Sequence, residues 1–417
     1  MTLDKYFSMK QTQLFSKTTK ENPKDEESIN ARLLIRAGFV NKEMAGVYTF
    51  NPLGLRVLRN IEQIIRDEMV NIGGQEIVMP ALQPKANWDK TGRWDSYDVL
   101  FRFKSLYSQT EYVIGPTHEE IVAPLLKRFV SSYRDLPQYV FQIQEKFRDE
   151  KRAKSGLLRG REFVMKDLYS FHVDDEDCEK YYEGVRKAYE RIFKRVRLKT
   201  IYTFASGGSF SQYSHEFQVV APAGEDTIYI CDACGIAVND EIIRKQSTCP
   251  ECGNKKLEPQ RSIEVGNIFK LKTRYSEAFD FTYTDEEGKP RPVVMGCYGI
   301  GLPRLMGAIV EVWHDDSGII WPETVAPFAI HLLALGGGEK QAETIYNQLS
   351  EKGIDVLYDN RRDVAAGEKF ADADLIGIPL RVVVSEKTVA INSVEVKKRK
   401  EAKIQLVKIP QVQGLIQ

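Results

Sequence analysis

The sequence predicts an α+β protein, built from a mostly antiparallel sheet with flanking helices and followed by a smaller α/β domain. Strand-like stretches up to residue 298 are joined by turns and not by regular crossover helices, which favours antiparallel pairing. Beyond residue 326 strands alternate with helices, which favours a parallel sheet. A chain of 417 residues is long enough for two or three domains.

The first elements follow from hydrophobic periodicity. An acidic turn opens a short helix at 25–37, and apolar residues at helical spacing predict a longer helix over 57–72. A pair of glycines ends that helix, and 76–80 has the pattern of a strand closed by Pro80. Further strands are expected at 110–115, 138–147, 163–171 and 292–298, and a further amphipathic helix at 176–196.

Two prolines, Pro322 and Pro327, mark a linker. We therefore assign residues 1–325 to the larger domain and 326–417 to the smaller one. The smaller domain is expected to run strand, helix, strand, helix, strand over 329–335, 340–352, 354–358, 368–376 and 380–385. The basic run at 397–400 is expected to be a solvated surface, with RNA phosphates as the alternative contact.

Composition limits the partners and the compartment. Lys+Arg and Asp+Glu balance at 59 each, so any nucleic-acid surface has to be local. No apolar run reaches membrane-spanning length, and the first residues lack the apolar core of a signal peptide. Four of the six cysteines stand in CxxC pairs. We therefore expect no membrane partner and a metal-binding protein of the cytoplasm.

The cysteine pairs predict a zinc ribbon. Cys231-x2-Cys234 and Cys249-x2-Cys252 are separated by fourteen residues, and a glycine that permits a tight turn follows each pair. Four thiolates satisfy tetrahedral zinc without leaving an open position. We predict a structural Zn²⁺ in an insert at about 228–258. Four reduced thiols in a module that has lost its metal are the alternative.

Two arginine-containing segments suggest a nucleotide site. Residues 147–150 are Phe-Arg-Asp-Glu, and a basic loop with Arg159 and Arg161 then returns to Phe163. Far downstream, 296–304 ends in Arg304 at the start of a predicted helix. Guanidinium groups make forked contacts to phosphates. The tetrapeptide alone would also fit a solvated strand edge, but the ordered set indicates an ATP clamp.

Together these segments resemble motifs 2 and 3 of the class II aminoacyl-tRNA synthetases. The flanking text at 115–120 and 165–172 narrows the resemblance to the prolyl-tRNA synthetases of the bacterial type. It covers nearly the whole chain, from about Tyr6 to about Ile409. It implies a class II antiparallel catalytic domain, a C-terminal anticodon-binding domain, and a homodimer formed through the helix at 57–72 and the strand ending at Pro80. A surface helix on a sheet is the alternative for that last segment.

The resemblance also implies the ATP site. Arg148 and Arg304 would act catalytically by stabilising charge on the α-phosphate, Glu150 would accept from the adenine amino group, and Phe163 would stack on the base. Mg²⁺ would bridge phosphates near Glu150 or Glu216. The full implied ATP-binding set is Arg148, Glu150, Arg159, Arg161, Phe163, Gln218 and Arg304.

A proline pocket is implied as well. Thr117 and Glu119 match positions that hold the substrate ammonium, whose two N–H donors suit a hydroxyl and a carboxylate. The other implied proline-binding residues are Arg148, His172, Ser214, His215 and Cys297. Taken singly, the two histidines also fit a structural role. Residues 210–213 stand where the family has a single residue, and we expect this insertion to alter the pocket wall.

A large editing domain, common in bacterial-type relatives, has no room here. It would lie between motifs 2 and 3, where the zinc ribbon occupies much of the interval from Phe217 to Gly296. A pocket sized for proline discriminates only modestly against the smaller alanine. We therefore expect detectable mischarging of alanine, or reliance on a separate hydrolase.

The function implied by the resemblance is prolyl-tRNA synthesis. Proline and ATP would give prolyl-adenylate and pyrophosphate, and the prolyl group would move to the 3′ end of proline tRNA, whose anticodon Asp359, Arg361 and Lys369 would contact. Two alternatives stay open. One is a class II synthetase for another amino acid, threonine or serine being nearest. The other is a non-catalytic synthetase-like tRNA-binding or accessory protein, a class that usually loses the clamp arginines kept here.

Overall fold

The computed structural model describes residues 8–153, 155–208 and 213–416. The chain forms two compact units. The large unit consists of Glu43–Tyr48 and Ile61–Ala308, and the small unit of Met1–Lys42, Thr49–Asn60 and Ile309–Gln417. The described segment up to Lys42 thus groups with the segment that begins at Ile309, which the sequence did not indicate. The domain boundary after residue 325 stays a prediction.

The described helices are α1 (Ile29–Arg36), α2 (Pro52–Asn71), α3 (Lys85–Lys90), α4 (Arg93–Ser96), α5 (Glu119–Leu126), α6 (Asp175–Arg195), α7 (Asp240–Ile243), α8 (Arg274–Ala278), α9 (Leu302–Val312), α10 (Glu339–Glu351), α11 (Ala366–Ile376) and α12 (Glu386–Ala390). None of these helices is long and apolar enough to cross a membrane.

The described strands are β1 (Met9–Lys10), β2 (Val40–Met44), β3 (Val47–Phe50), β4 (Gln75–Glu76), β5 (Leu82–Pro84), β6 (Phe101–Lys104), β7 (Glu111–Ile114), β8 (Gln138–Phe147), β9 (Glu162–His172), β10 (Ile201–Ser206), β11 (Tyr213–Val220), β12 (Asp226–Cys231), β13 (Ala237–Asn239), β14 (Leu257–Lys272), β15 (Thr282–Thr284), β16 (Pro290–Pro292), β17 (Val294–Gly301), β18 (His314–Asp315), β19 (Gly318–Ile319), β20 (Ile330–Ala334), β21 (Val356–Asp359), β22 (Leu380–Val384), β23 (Ser393–Lys398) and β24 (Ile404–Lys408).

A nine-stranded sheet frames the large unit, in the order β11-β10-β13-β12-β14-β17-β9-β8-β4. Neighbouring strands run antiparallel except β10 with β13 and β4 with β8. The predicted α+β class with an antiparallel sheet is confirmed. The strand predicted at 76–80 is shorter than expected. It ends at Glu76, although the Ile77 N–H still donates to the Phe141 carbonyl.

Helix α6 covers one face of this sheet, and α5 packs on the other. The Asp174 side chain caps α6 by accepting from the Asp177 N–H, and three acidic residues follow in its first turn, where the helix dipole favours negative charge. Tyr182, Val185, Tyr189 and other buried residues at helical spacing anchor it. On the opposite face, α5 packs against a cluster that includes side chains of β9 and β17. The two faces of the sheet are therefore covered by different helices.

A mixed six-stranded sheet frames the small unit, in the order β1-β21-β20-β22-β23-β24. The strands up to β22 are parallel, as the strand–helix alternation predicts, and β23 and β24 add an antiparallel edge. Within the basic run at 397–400, Arg399 is buried and its guanidinium contacts both Asp315 oxygens at 2.6 Å. The expectation of a solvated run is therefore wrong for Arg399.

Two helical glycines provide a matched test of this packing. A Cβ at Gly54 in α2 would stand 2.2 Å from the Phe39 carbonyl oxygen, whereas nothing lies within 4 Å of a Cβ at Gly184 in α6. We predict that Gly54→Ala lowers the free energy of unfolding by about 2 kcal/mol, because backbone must move. Gly184→Ala should raise it by up to about 1 kcal/mol through helix propensity. Denaturant unfolding of both variants measures the difference, and a stabilised Gly54→Ala would contradict the packing.

Candidate active site

A cleft opens on the α5 face of the nine-stranded sheet, between the β8–β9 hairpin and β17. Gly299 and Gly301 contribute backbone without side chains to its lining. The residues of the predicted ATP clamp that line it are Arg148, Glu150, Arg159, Phe163 and Arg304. The structure thus brings together side chains that lie up to 156 positions apart in the chain.

Arg148 follows the last residue of β8. Its backbone N–H donates to the Arg161 carbonyl at 2.8 Å, which closes the hairpin. Its Nε lies 3.4 Å from the Pro116 carbonyl oxygen, and its guanidinium lies 5.3 Å from the centre of the Phe163 ring. The guanidinium is therefore held by the loop that carries Thr117 and by an aromatic face.

Glu150 and the two loop arginines form one polar cluster. Arg159 donates its Nε to the Glu150 carboxylate at 2.8 Å and also approaches Glu225 at 3.3 Å. Arg161 does not line the cleft. Its guanidinium donates to the backbone carbonyls of Glu150 and Ala45, at 2.9 Å and 3.1 Å. Arg161 thus braces the loop, and the structure does not bring it to the predicted ATP site.

Arg304 lies in the first turn of α9. Its Nε donates to the Leu158 carbonyl at 2.8 Å, and Nη1 pairs with Glu264 at 2.7 Å. Asn267 donates to the other Glu264 oxygen at 2.7 Å. Sequence reasoning missed Glu264 and Asn267. The available signal was this polar pair inside the otherwise apolar stretch 263–269 of β14.

Three carboxylates gather beside Arg304. Gln218 donates its Nε2 to both Glu216 and Asp226 at 2.9 Å, so it holds these acids and contacts the cleft only through them. Burial, with Glu264 as the second cause, raises the pKa of Glu216 to about 8. Burial also raises the pKa of Asp226. Such a cluster of carboxyl groups with raised pKa values is suited to bind a divalent cation, because the charge of the cation would favour their ionised forms.

The predicted proline pocket lies further along the same face. Thr117 donates its hydroxyl to one oxygen of the buried Glu119 carboxylate at 2.6 Å, and the Cys297 thiol lies 3.2 Å from the other. Burial and the Glu119 charge raise the pKa of the Cys297 thiol well above its usual range, so the thiol stays protonated and donates. Arg93, itself buried, pairs with Glu120 at 2.9 Å and approaches Glu119 at 3.5 Å.

Tyr169 is a pocket residue that sequence reasoning missed. It pairs with Cys297 across the β9–β17 ladder. Its hydroxyl accepts from the His118 N–H at 3.1 Å and donates to Asp167 at 3.0 Å. Lys146 pairs with Asp167 at 2.8 Å. This buried network fixes the loop that presents Thr117.

Strand alternation separates the remaining predicted pocket residues. Ser214 shares a cross-strand row with Phe269 and Cys297, and therefore lies on the α5 face. His215 lies on the opposite face, where the hydroxyl of Tyr182 in α6 meets its Nδ1 at 2.7 Å.

His172 is also on the α6 face, with Nδ1 2.7 Å from Asp177 and its ring beside Tyr139 and Tyr181. Burial lowers the pKa of His172, and lowers that of His215 to about 3. The structure does not bring either histidine to Thr117 and Glu119, so the structural alternative fits both. The predicted insertion at 210–213 lies outside the described residues except for Tyr213.

The four ribbon cysteines converge. Their sulfur atoms all lie within 4.8 Å of one another, and the closest pairs are 3.5 to 3.7 Å apart. Four thiolates around one zinc at 2.3 Å would stand about 3.8 Å apart, so the spacing fits the metal. The two knuckles have the same backbone bonds, from Gly235 N–H to Cys231 and from Gly253 N–H to Cys249, both at 2.9 Å.

In the small unit, the predicted anticodon residues meet but face inward. The buried Asp359 carboxylate accepts from Arg361 at 2.7 Å and 2.9 Å. Lys369 is 4% exposed and donates to the Ala334 carbonyl at 2.7 Å. Asp359 and Lys369 therefore hold the loop in shape, and Arg361 is the more accessible member of the set.

Two family descriptions match the chain. Residues 101–313 match "tRNA synthetase class II core domain (G, H, P, S and T)" and residues 325–417 match "Anticodon binding domain". Among solved structures, prolyl-tRNA synthetase of Giardia lamblia in complex with prolyl-adenylate has a TM-score of 0.75 at 21% identity and covers 91% of this chain and 74% of that one. The enzyme of Cryptosporidium parvum with L-proline and AMP has the same TM-score at 15% identity, covering 92% and 73%. These two likenesses concern the fold.

Curated relatives resemble the chain over nearly its full length. Proline–tRNA ligase of Rhodopseudomonas palustris (strain TIE-1) is 40% identical over 427 residues, covering 94% of this chain and 96% of the relative. That of Moorella thermoacetica is 34% identical over 547 residues, covering 94% and 95%. The second alignment is 130 positions longer than this chain of 417 residues, so that relative carries additional residues that this chain lacks. By these matches and by its cleft, the chain belongs to the proline–tRNA ligase family of class II aminoacyl-tRNA synthetases.

Proposed function

We propose that ATP binds in the Arg148–Arg304 cleft and proline in the Thr117–Glu119 pocket during prolyl-tRNA synthesis. One observation carries this assignment. Cys297 borders the pocket and Gly299 lines the cleft, and they are alternate residues on one face of β17. Alternate residues of a strand stand about 7 Å apart. A proline carboxylate beside Cys297 is thus within reach of a phosphate above Gly299.

Arg148 and Arg304 would supply the main electrostatic stabilisation. The attacking carboxylate is already ionised, so no general base is needed. Negative charge builds on the α-phosphate, and guanidinium groups held in place beforehand stabilise it without reorganisation. The Pro116 and Leu158 carbonyls hold these two guanidiniums through Nε, and Glu264 also holds Nη1 of Arg304. Phosphate would bind the N–H groups that these contacts leave.

In the proline pocket, Glu119 would receive the substrate ammonium. The Thr117 hydroxyl and the Cys297 thiol already contact its two oxygens, so the carboxylate is fixed before substrate arrives. Arg93 pairs with the neighbouring Glu120 and limits the negative charge of the pocket to about one unit, which matches one ammonium.

Magnesium and zinc would complete the site and the ribbon. Glu264, with Glu216 and Asp226 behind it, would hold Mg²⁺, which would neutralise phosphate charge when bound. The four ribbon cysteines would hold one structural Zn²⁺. None of the four thiols lines the described cleft, so the zinc would act on folding and not on the reacting atoms.

We also propose a homodimer formed through the segment that follows α2. Val78 is 82% exposed and Leu82 is 52% exposed, and β4 forms an edge of the sheet. Apolar exposure at a sheet edge indicates a covered surface in the assembled protein, and an isologous contact would place the same segment on both partners. The cytoplasmic location stays a prediction.

The function is tested by pyrophosphate exchange with a panel of amino acids. Proline should drive exchange, and threonine and serine should not. Arg148→Ala should slow it by about 3 kcal/mol or more in the activation barrier, because a charge-assisted phosphate contact is lost. Arg128→Ala, an exposed arginine after α5, is the matched control and should exchange like wild type. Near-normal exchange by Arg148→Ala would refute the clamp, and exchange driven by threonine or serine but not by proline would refute the substrate.

The zinc proposal is tested by metal analysis of freshly purified, reduced protein. We expect one zinc per chain, lost in Cys249→Ser and kept in Cys178→Ser, which changes a buried cysteine outside the cluster. Cys249→Ser should still give measurable proline-dependent exchange at saturating ATP, because the ribbon metal does not touch the substrates. Wild-type protein without zinc would contradict the metal assignment. Complete loss of exchange in a folded Cys249→Ser variant would contradict a purely structural role.

Sedimentation velocity at micromolar concentration tests the dimer. Wild type should sediment as a dimer, and Val78→Asp should shift it towards monomer, because a charge would be buried at the contact. Phe129→Asp, at a residue 72% exposed elsewhere on the large unit, should leave the dimer intact. A wild-type monomer, or equal disruption by both substitutions, would contradict the proposed surface.

A further inference from the structure

The zinc ribbon is built into the main sheet and is not a separate appendage. Strand β12 pairs with β14 from Asp226–Ser262 to Cys231–Leu257, and β13 pairs with β12 and β10. The same strands therefore have a cysteine knuckle at one end and the carboxylate cluster at the other. From Cys231 to Asp226 the distance along β12 is about 17 Å, so the cysteines can act on the cluster only through the strands.

Asn239, the last residue of β13, makes the connecting contact. It is 5% exposed, and its Nδ2 donates to the Glu216 carboxylate at 3.0 Å. Its Oδ1 accepts from the Glu241 N–H at 3.1 Å and so caps α7, the short helix inside the ribbon. The oxygen of this amide therefore bonds to the ribbon, and its nitrogen bonds to the carboxylate cluster.

The carboxylates depend on a small number of donors. Within the described residues, Glu216 accepts side-chain hydrogen bonds from Gln218 and Asn239. Gln218 is shared with Asp226, so Asn239 is the donor that serves Glu216 alone. Loss of its amide would leave the Glu216 carboxylate free to turn away from Glu264, and would change the acids that are in place for a cation.

The Cys231 knuckle joins the two strands of the hairpin that carries Asn239. The β12–β13 pairing rests on Ile228–Asn239, Tyr229–Val238 and Ile230–Ala237, a short ladder closed by the Cys231 knuckle. The second knuckle stands just before β14. A tetrahedral centre joining both knuckles would tie the turn of this hairpin to the entry of β14.

We propose that the cysteine cluster and Asn239 form a positioning device for the carboxylates of the nucleotide cleft, so that a filled cluster tightens binding of Mg·ATP. This inference rests on the ATP assignment given under Proposed function. Asn239 touches neither substrate and acts through Glu216, so it is a positioning residue. The ribbon then has a role in substrate affinity beyond its own folding.

The main test is Asn239→Ser, which keeps an oxygen to cap α7 but removes the amide donor. Calorimetric titration of the full-length protein with Mg·ATP should show a dissociation constant raised about tenfold, as expected for losing a hydrogen bond to a charged group. In exchange assays the KM for Mg·ATP and the Mg²⁺ concentration at half-maximal rate should rise. The KM for proline should stay within twofold. Gln246→Ala, another amide substitution inside the ribbon, is the control and should bind Mg·ATP as wild type does.

A double-mutant cycle tests the link to the cysteines. Cys252→Ser, at an exposed cysteine, should also weaken Mg·ATP binding, and stripping wild type with phenanthroline should do the same without a substitution. Combined with Asn239→Ser, Cys252→Ser should add less than twofold, because both act through one contact. Unchanged Mg·ATP binding in Asn239→Ser, or effects that multiply independently, would overturn the inference. If wild type binds Mg·ATP but does not catalyse exchange with proline, that result would count against the proposed function alone. The positioning role of Asn239 would still be decided by the calorimetric titration.

Discussion

The antiparallel register of β17 between β9 and β14 decides which side chains reach the site. Cys297 pairs with Tyr169 on one side and with Phe269 on the other, and Gly299 pairs with Asp167 and Asn267. A slip of β17 by one residue would turn Cys297, with the other side chains of that strand on its face, to the face covered by α6. The pocket, the cleft and the carboxylate cluster therefore all depend on this strand register. Helix α6 secures the register by burying the alternate residues of the same strands.

Buried charge is the second constraint on this face. Lys146, Asp167 and His118 form a fully buried set behind the pocket, and Arg93 pairs with Glu120 beside it. Burial and the adjacent Lys146 lower the pKa of His118 to about 4, so the His118 imidazole stays neutral next to the Lys146 side chain. Such pairs add little net stability, but removing one partner leaves the other charge buried without a partner. The pairs therefore fix the position of the Thr117 loop.

The ribbon is part of the main structure of the large unit. Its strands enter the same sheet that holds the carboxylates. A cross-link at the far end of β12 and β13 is a compact way to hold Asn239, since the segment between Asp240 and Lys256 offers few buried apolar side chains. The proposed metal would substitute for a hydrophobic core there.

The sequence by itself predicted the fold class from periodicity and the convergence of the four cysteines from their spacing. The family and the order of the predicted ATP-clamp residues followed from the resemblance of its motifs to those of class II synthetases. The sequence also identified Arg148, Glu150, Phe163 and Arg304 as members of one cleft. Only the tertiary structure decided which face each strand residue takes. In the structure His172 and His215 lie on the α6 face, and Asp359 and Lys369 face inward. The structure also identifies Tyr169, Glu264 and Asn239 as residues of the site or its support. The physical reason is that a period of two assigns neighbours to opposite faces, while the identity of the buried face depends on what packs against the sheet.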